Sequence, residues 1–408
     1  MFTVSPVYIA PRLGFAGDPF GTGKTAVRGG GGIYVDRIQG NPVMDQIGNP
    51  PLIFSPTQYY GTFADIANFA ASGLLAPNGS VSSLAGQGHQ QSTYNFSLDI
   101  QRQIGRSDLV SIGYTGSLAR HLLWQRNINP APLDANFLSL NPQNHDPSST
   151  SVTTVLAANF LRPYQGLGDV LLDEFAGTSN YHGLLASYSH RMGATMNISL
   201  SYTFSKALDE ADTYSTQVDA FIPVRSRNYG PAVFDRRHTF SANSHWSLPK
   251  LSRGWRSAPS LASGWEVSGV TRMSSGGYFT PSYSLVNSLP APSGSTSKTA
   301  RVDVIDPSAP LTSRFAPPAQ GRPAHLGNLG RNTVLGPGID NWDVSLYRQL
   351  KITERLGCQL RFETYTTLNH TQFSAYDQTL KFDATGKQVN PLFACPMPTA
   401  LPEESNCR

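Results

Sequence analysis

Residues 92–104 read STYNFSLDIQRQI, and the alternation within them decides the fold. Tyr94, Phe96, Leu98, Ile100 and Ile104 occupy even positions, while Asn95, Ser97, Asp99, Gln101 and Gln103 occupy odd ones. A side-chain period of two belongs to a strand with one apolar and one polar face. Arg102 is the exception, and it lies near the strand end, where a long cationic chain can reach an interface. After the turn GRSD comes LVSIGYTGSLARH, with Val110, Ile112, Tyr114 and Leu118 opposite Ser111, Thr115 and Ser117. The two runs read as a hairpin.

The unit recurs. YHGLLASYSHRM (181–192) turns through Gly193 into ATMNISLSYTFSKAL, where Met196, Ile198, Leu200, Tyr202 and Phe204 alternate with Asn197, Ser199, Ser201, Thr203 and Ser205. RHTFSANSHWSL places Phe240, Ala242, Trp246 and Leu248 on one face, and GWEVSGVTRMSSG sets Trp265, Val267 and Met273 opposite Glu266, Ser268 and Arg272. In NWDVSLYRQLKI and GCQLRFETYTTLNH, Trp342, Val344, Leu346, Leu360 and Phe362 face away from Asp343, Ser345, Gln359, Arg361 and Glu363. Runs of this length suffice for a tilted strand to cross a bilayer, which takes about 9–11 residues.

Composition points the same way. Charged residues make up 14% of the 408 and hydrophobic ones only 39%, with 37 Gly and 30 Pro filling the difference. Soluble domains carry roughly 25% charge. No run approaches the 18 or so apolar residues of a membrane helix. A transmembrane β-barrel satisfies both deficits, because lipid-facing apolar residues alternate with polar lumen-facing ones. Connections support it: GTGK, IGRSD, RMGA and TERLG are short, PKLSRGWRSAPSLAS is intermediate, and 37–91, 121–178, 207–236 and 276–339 are long. Short periplasmic turns and long outer loops are the outer-membrane arrangement. A sandwich or solenoid would share the alternation, but sandwich loops rarely exceed about 15 residues. Tyr94, Trp124, Tyr202, Trp246, Trp265 and Trp342 lie near strand ends, where interfacial girdles belong. SLPAPSGSTSK (288–298) carries too little apolar surface to fold alone.

The net charge of +4 is scattered and forms no nucleic-acid stripe. Cys358, Cys395 and Cys407 have no CxxC spacing; Cys395 and Cys407 could pair in an oxidising compartment, or all three could be lone thiols. The N-terminus MFTVSPVYIAPR has neither the basic start nor the apolar stretch of a signal peptide. An outer-membrane protein needs one, so either the chain is a piece of a longer protein or the barrel reading fails.

GDPFGTGKTAVRGGGG (17–32) contains GTGKT, the end of a phosphate loop. The leading glycine should stand at position 18, which is Asp18, and the four glycines from Gly29 to Gly32 oppose the helix such a loop must open. A tight turn between two strands is expected instead, with Gly21 and Gly23 supplying its backbone angles, Lys24 at a periplasmic rim, and the glycine run marking a bend or a close backbone approach. No GxSxG, HExxH or paired-cysteine motif occurs. Asp235, His238 and Ser241 in FDRRHTFS are near in sequence but splay along an extended segment, so no triad is expected. Asp235 should tie the loop at the rim through Arg236 or Arg237. The acids Asp209, Glu210, Asp212 and Asp219 match no calcium loop and read as a solvated acidic loop. His182, His190 and His245 read as satisfied lumen or rim residues. No catalytic residue, metal site or cofactor is expected. Asp99, Glu266, Arg272, Arg361 and Glu363 would face the lumen, where they either set selectivity or only keep the inner face wet.

Several segments resemble the barrel region of TonB-dependent outer-membrane receptors of the Oar-like group: PRLGFAGDPFGTGKTAVRGGGGIYVDR, YNFSLDIQRQIGRSDLVSIGYTGSLARHLLWQRNIN, NYHGLLASYSHR, SYTFSKALDEAD, RNYGPAVFDRRHTFSAN, GWEVSGV, NLGRNTVLGPGIDNWDVSLYR and FETYTTLNHTQF. They run co-linearly from residue 11 to about 373. The resemblance implies a barrel of the roughly 22-stranded type, a plug domain inside it, contact with TonB, and uptake of a large nutrient such as a carbohydrate or siderophore. The matching plug, TonB box, N-terminal domain and closing aromatic strand are missing here. The expectation is therefore an all-β chain: an antiparallel transmembrane β-barrel segment of about 10–12 strands over 1–373, followed by an irregular tail over 374–408. It would sit in the outer membrane among lipid, incomplete and inactive alone. An adhesin-like or structural surface protein is the alternative.

Overall fold

The computed structural model describes residues 7–53, 59, 62–68, 79–86, 89–193, 195–249, 264–285, 295, 300–318, 326–353 and 356–398. Ten long strands carry the architecture: β1 (Arg12–Gly17), β2 (Thr25–Val35), β3 (Ser92–Ile104), β4 (Asp108–Asn127), β5 (Val170–Met192), β6 (Met196–Asp209), β7 (His238–Ser247), β8 (Trp265–Ser274), β9 (Ile339–Lys351) and β10 (Gly357–Thr364). Each pairs antiparallel with the next, so sheet order repeats chain order, with β1 and β10 at the two edges. This is the expected all-β antiparallel barrel architecture.

Register converts the alternation of single strands into two continuous faces. One row crosses the sheet as Val27, Ile100, Ile112, Ala186, Tyr202, Phe240 and Met273. The adjacent row is Gln101, Ser111, Ser187, Ser201, Ser241, Arg272 and Asn341. Ile112 is 54% exposed, so nothing among the described residues covers the apolar face there, as a lipid-facing surface requires. On the polar face the hydroxyls bond across strands, with Ser201 and Ser241 Oγ 2.6 Å apart and Ser268 and Ser345 Oγ 2.7 Å apart.

The glycine run has a packing reason. Phe15 pairs with Gly29 across β1 and β2, and a Cβ on Gly29 would lie 2.6 Å from the Phe15 ring. The same device joins β3 to β4, where a Cβ on Gly116 would lie 2.3 Å from Phe96 Cζ. Each ring lies flat over a residue without a side chain. The turn before β2 is also as read: Gly21 and Gly23 have φ of 63° and 70°. Asp18, the residue that spoils a phosphate loop, accepts the backbone N–H groups of Phe20 (3.2 Å) and Gly23 (2.6 Å).

Four expectations change. The strands outrun the membrane: β4 has 20 residues and β5 has 23. At about 3.3 Å each they rise well beyond a hydrocarbon core of about 30 Å. Trp124 therefore sits above the membrane, 5% exposed against Val218 and Val224, and donates Nε1–H to Glu174 (2.8 Å) rather than joining a girdle. His182 belongs to the apolar face, in register with Gly116, and its ring bonds the Tyr114 hydroxyl at 2.7 Å. In the segment read as an irregular tail, the described residues 374–398 are not irregular, since the short strands Phe373–Tyr376, Thr379–Phe382 and Pro396–Pro398 are paired. Leu380, Phe382 and Phe393 from it close a small core with Phe279, Val302, Phe315, Leu329 and Val334 of the last long loop. Cys358 is a free, exposed thiol and Cys395 is disulfide-bonded; a pairing with Cys407 lies outside the described residues. SLPAPSGSTSK lies outside them too, apart from Ser295.

The fourth change concerns the acids. Asp209, Glu210 and Asp219 are 3%, 2% and 2% exposed, so the cluster is buried rather than solvated. Arg331 binds the Asp209 carboxylate and pairs with Asp212, and its Nη1 also donates to the Asp209 carbonyl at 2.9 Å. Arg227 lies 3.7 Å from Asp219 and donates to the carbonyls of Leu326 and Gly327. Glu210 accepts the N–H and hydroxyl of Thr178 at 2.8 and 3.0 Å. Asp235 does tie the rim, but through the N–H of Ala207 (2.8 Å), while Arg236 turns to the carbonyls of Val233 and Asp235. Burial works against the Arg331 charge, yet Asp212 and Asp209 outweigh it and raise its pKa. Arg301 has no such pair among the described residues: burial, with Arg227 and Arg331 beside it, pushes it down to about 10. It is held by the carbonyls of Arg227 (2.8 Å) and Leu329 (3.2 Å).

Two outcomes test these contacts. Leu98→Arg, at mid-strand on the apolar face, should cost about 2–4 kcal/mol in lipid vesicles, with Ser97→Arg on the polar face costing far less; urea unfolding measures both. Arg331→Met strands a buried carboxylate, a loss of about 3–5 kcal/mol. It should expose 210–237 and 326–338 to limited proteolysis while the strands stay protected.

Candidate functional site

The sheet ends and the loops above them border a half-open cavity of about 520 Å³. Its floor is the polar face at the end of β8 and the start of β9, where Arg272 and Asn341 are register partners. One wall is Val233 and Arg236, delivered by the segment that Asp235 pins before β7. The roof comes from the two ends of the long loop between β8 and β9, at Gly277–Phe279 and Gly336–Pro337. The far wall is the chain after β10, with Gln372, Tyr376 and Gln378.

Glycine makes the roof possible. A Cβ on Gly276 would lie 1.8 Å from the Gly336 carbonyl oxygen, and one on Gly277 would lie 2.3 Å from the Arg236 guanidinium. The two loop ends cross in contact, joined by the Gly336 N–H donating to the Gly277 carbonyl at 2.6 Å. The crossing lets the Arg236 head lie against bare backbone.

Charge within the cavity has one sign. No Asp or Glu lines it, and among the described residues neither Arg236 nor Arg272 makes an ion pair. The nearest acids along β9 are both committed elsewhere: Asp340 accepts the Trp342 indole N–H (2.9 Å) and contacts the His370 ring (2.9 Å), and Asp343 accepts the Asn341 amide (3.1 Å) and the Thr366 N–H (2.9 Å). Such a space can hold an anion, and it contains no activated nucleophile. The FDRRHTFS residues confirm the split expected of an extended segment. Asp235 is buried, His238 bonds Tyr202 on the apolar face at 2.7 Å, and Ser241 bonds Ser201 on the polar face.

All five charged residues singled out from the sequence lie on the polar face, but only part of the set meets. Glu266, Tyr347 and Arg361 form one cross-strand row. Arg361 contacts Glu363 at 2.5 Å, and Glu266 lies 3.6 Å from His245, whose ring bonds the Tyr347 hydroxyl at 3.2 Å. Arg272 stands apart, nearer the loops, in the cavity. Asp99 lies five strands away on β3, accepting the Ser111 hydroxyl at 2.5 Å. Of the other histidines, His190 pairs with Asp108 at the short-turn rim. Sequence reasoning missed Arg227 and Arg331 as loop anchors and Arg236 as a cavity wall. All lie within RNYGPAVFDRRH and NLGRN, so the clue was which long-loop segments matched the resemblance.

No curated protein matches the sequence. Among solved structures, the outer membrane transporter YddB from Escherichia coli is similar in fold, with a TM-score of 0.50 at 9% identity over 96% of this chain and 40% of that one. The FrpB iron transporter from Neisseria meningitidis aligns with a TM-score of 0.41 at 12% identity, over 97% of this chain and 38% of that one. The chain thus spans about two-fifths of the length of these transporters. The family model for the outer membrane beta barrel domain matches residues 3–389. With its two-faced sheet and loop-capped rim, the chain belongs to that family, a barrel of the outer membrane.

Proposed function

We propose that the chain is barrel wall of a TonB-dependent uptake receptor of the Oar-like group, recognising a large nutrient, a carbohydrate or a siderophore, through its long loops. One observation carries this reading: the polar face ends in a half-open cavity walled by the loops. A passage for a bulky solute needs both a wetted wall and a recognition chamber above it. In this reading Asp99, Glu266, Arg272, Arg361 and Glu363 face the lumen, against a plug or a hydrated pore. The ten strands belong to a larger barrel of the roughly 22-stranded type, because an unpaired edge in lipid leaves backbone groups that cost several kcal/mol each. Plug and TonB are then partners of the whole protein, residues 1–373 are barrel with its loops, and 374–398 belong to the loop layer.

Uptake by cells expressing the full-length protein tests it. Accumulation of ligand should be abolished by a protonophore and by loss of TonB. Surface binding that never leads to accumulation would instead favour an adhesin-like protein.

A further inference from the structure

Building on that reading, we infer that the cavity above β8 and β9 binds a ring-bearing organic carboxylate, with Arg236 and Arg272 holding the oxyanion. Three features converge. Two guanidiniums, one from the polar face of the sheet and one from the rim segment, border one chamber that contains no carboxylate. Arg236 is positioned without being neutralised, because its partners are the neutral carbonyls of Val233 (3.2 Å) and Asp235 (2.9 Å). Both arginines therefore keep N–H donors and full charge available, and a planar guanidinium matches a carboxylate in geometry.

The rest of the lining sets the second half of the ligand. Tyr278 and Tyr376 are half-buried at the cavity, beside the amide of Gln378. Aromatic faces accept flat, weakly hydrated groups, and amides satisfy scattered oxygens. A small inorganic anion would leave those rings unused and most of the 520 Å³ filled with water. A carboxylate carried on a ring uses both ends.

The test uses the full chain purified in detergent, with 2-naphthoate, its neutral analogue 2-naphthamide and inorganic phosphate as probes, read by naphthalene fluorescence and by calorimetry. Naphthoate should bind on the order of tenfold more tightly than naphthamide, the usual weight of a charge-assisted hydrogen bond. Arg272→Gln and Arg236→Gln should each erase that preference, whereas Arg191→Gln, on the polar face at the opposite end of the sheet, should retain it. Equal binding of acid and amide, or a preference untouched by Arg272→Gln, overturns the proposal. Phosphate binding as tightly as naphthoate overturns the ring-bearing ligand. Arg272 is an exposed sheet residue, so its variant folds if any does, and naphthoate against naphthamide on the unaltered chain needs no variant. Naphthoate binding in a protein that shows no energised uptake would remove the transport reading and leave the site standing.

Discussion

Every strand of this sheet must keep its two faces in register with its neighbours, because a shift of one residue would turn lipid-facing side chains into the polar interior. The row from Val27 to Met273 and the row from Gln101 to Asn341 are the visible result. Serine, threonine and asparagine suit the polar face because they bond across strands without placing charge near lipid. Glycine does complementary work on the apolar face: under Phe15 and Phe96 it lets a ring lie along the sheet and reinforces the same register from the other side. Cavity floor, rim and loops all depend on that alignment, since Arg272 reaches the chamber only if Ser241 and Asn341 are its neighbours.

Above the membrane the physics changes. The loops are rich in Gly, Pro, Asn and Ser, so they bury too little apolar surface for an ordinary core. They are organised by a small hydrophobic cluster around Phe382 and Phe393 and by buried arginines that bind carbonyls and carboxylates. A buried pair is weak evidence for stability but strong evidence for a defined geometry, since removing one partner leaves a stranded charge. The Arg331 guanidinium joins Asp209 at the end of β6 to the carbonyl of Asn228, and so fixes one long loop against another.

The spanning strands were legible because alternation is a local signal: β3, β6 and β9 can be read from a dozen residues each. The turn at Asp18 was legible for the same reason. What could not be read was long-range. LDEADTY looks solvated because nothing nearby in sequence announces Arg331, more than a hundred residues away, as the partner of Asp209. Trp124 looks like a girdle residue until β4 is seen to continue past the membrane to meet Val218. The segment after residue 373 lacks alternation, yet its prolines and phenylalanines fold by borrowing a core from residues 278–334. The cavity was the least legible, because its walls come from four separate places in the chain.

The crossing of Gly276 and Gly277 with Gly336 has a consequence for how this surface can diversify. The nearly sixty residues between those points leave and re-enter the sheet through one hydrogen-bonded neck. Closing a longer ring costs only about 0.6 kcal/mol per doubling of its length. The insert can therefore change length while the glycine neck holds, so long as Arg331 still reaches Asp209 and Phe279, Val302, Phe315, Leu329 and Val334 still form the small core.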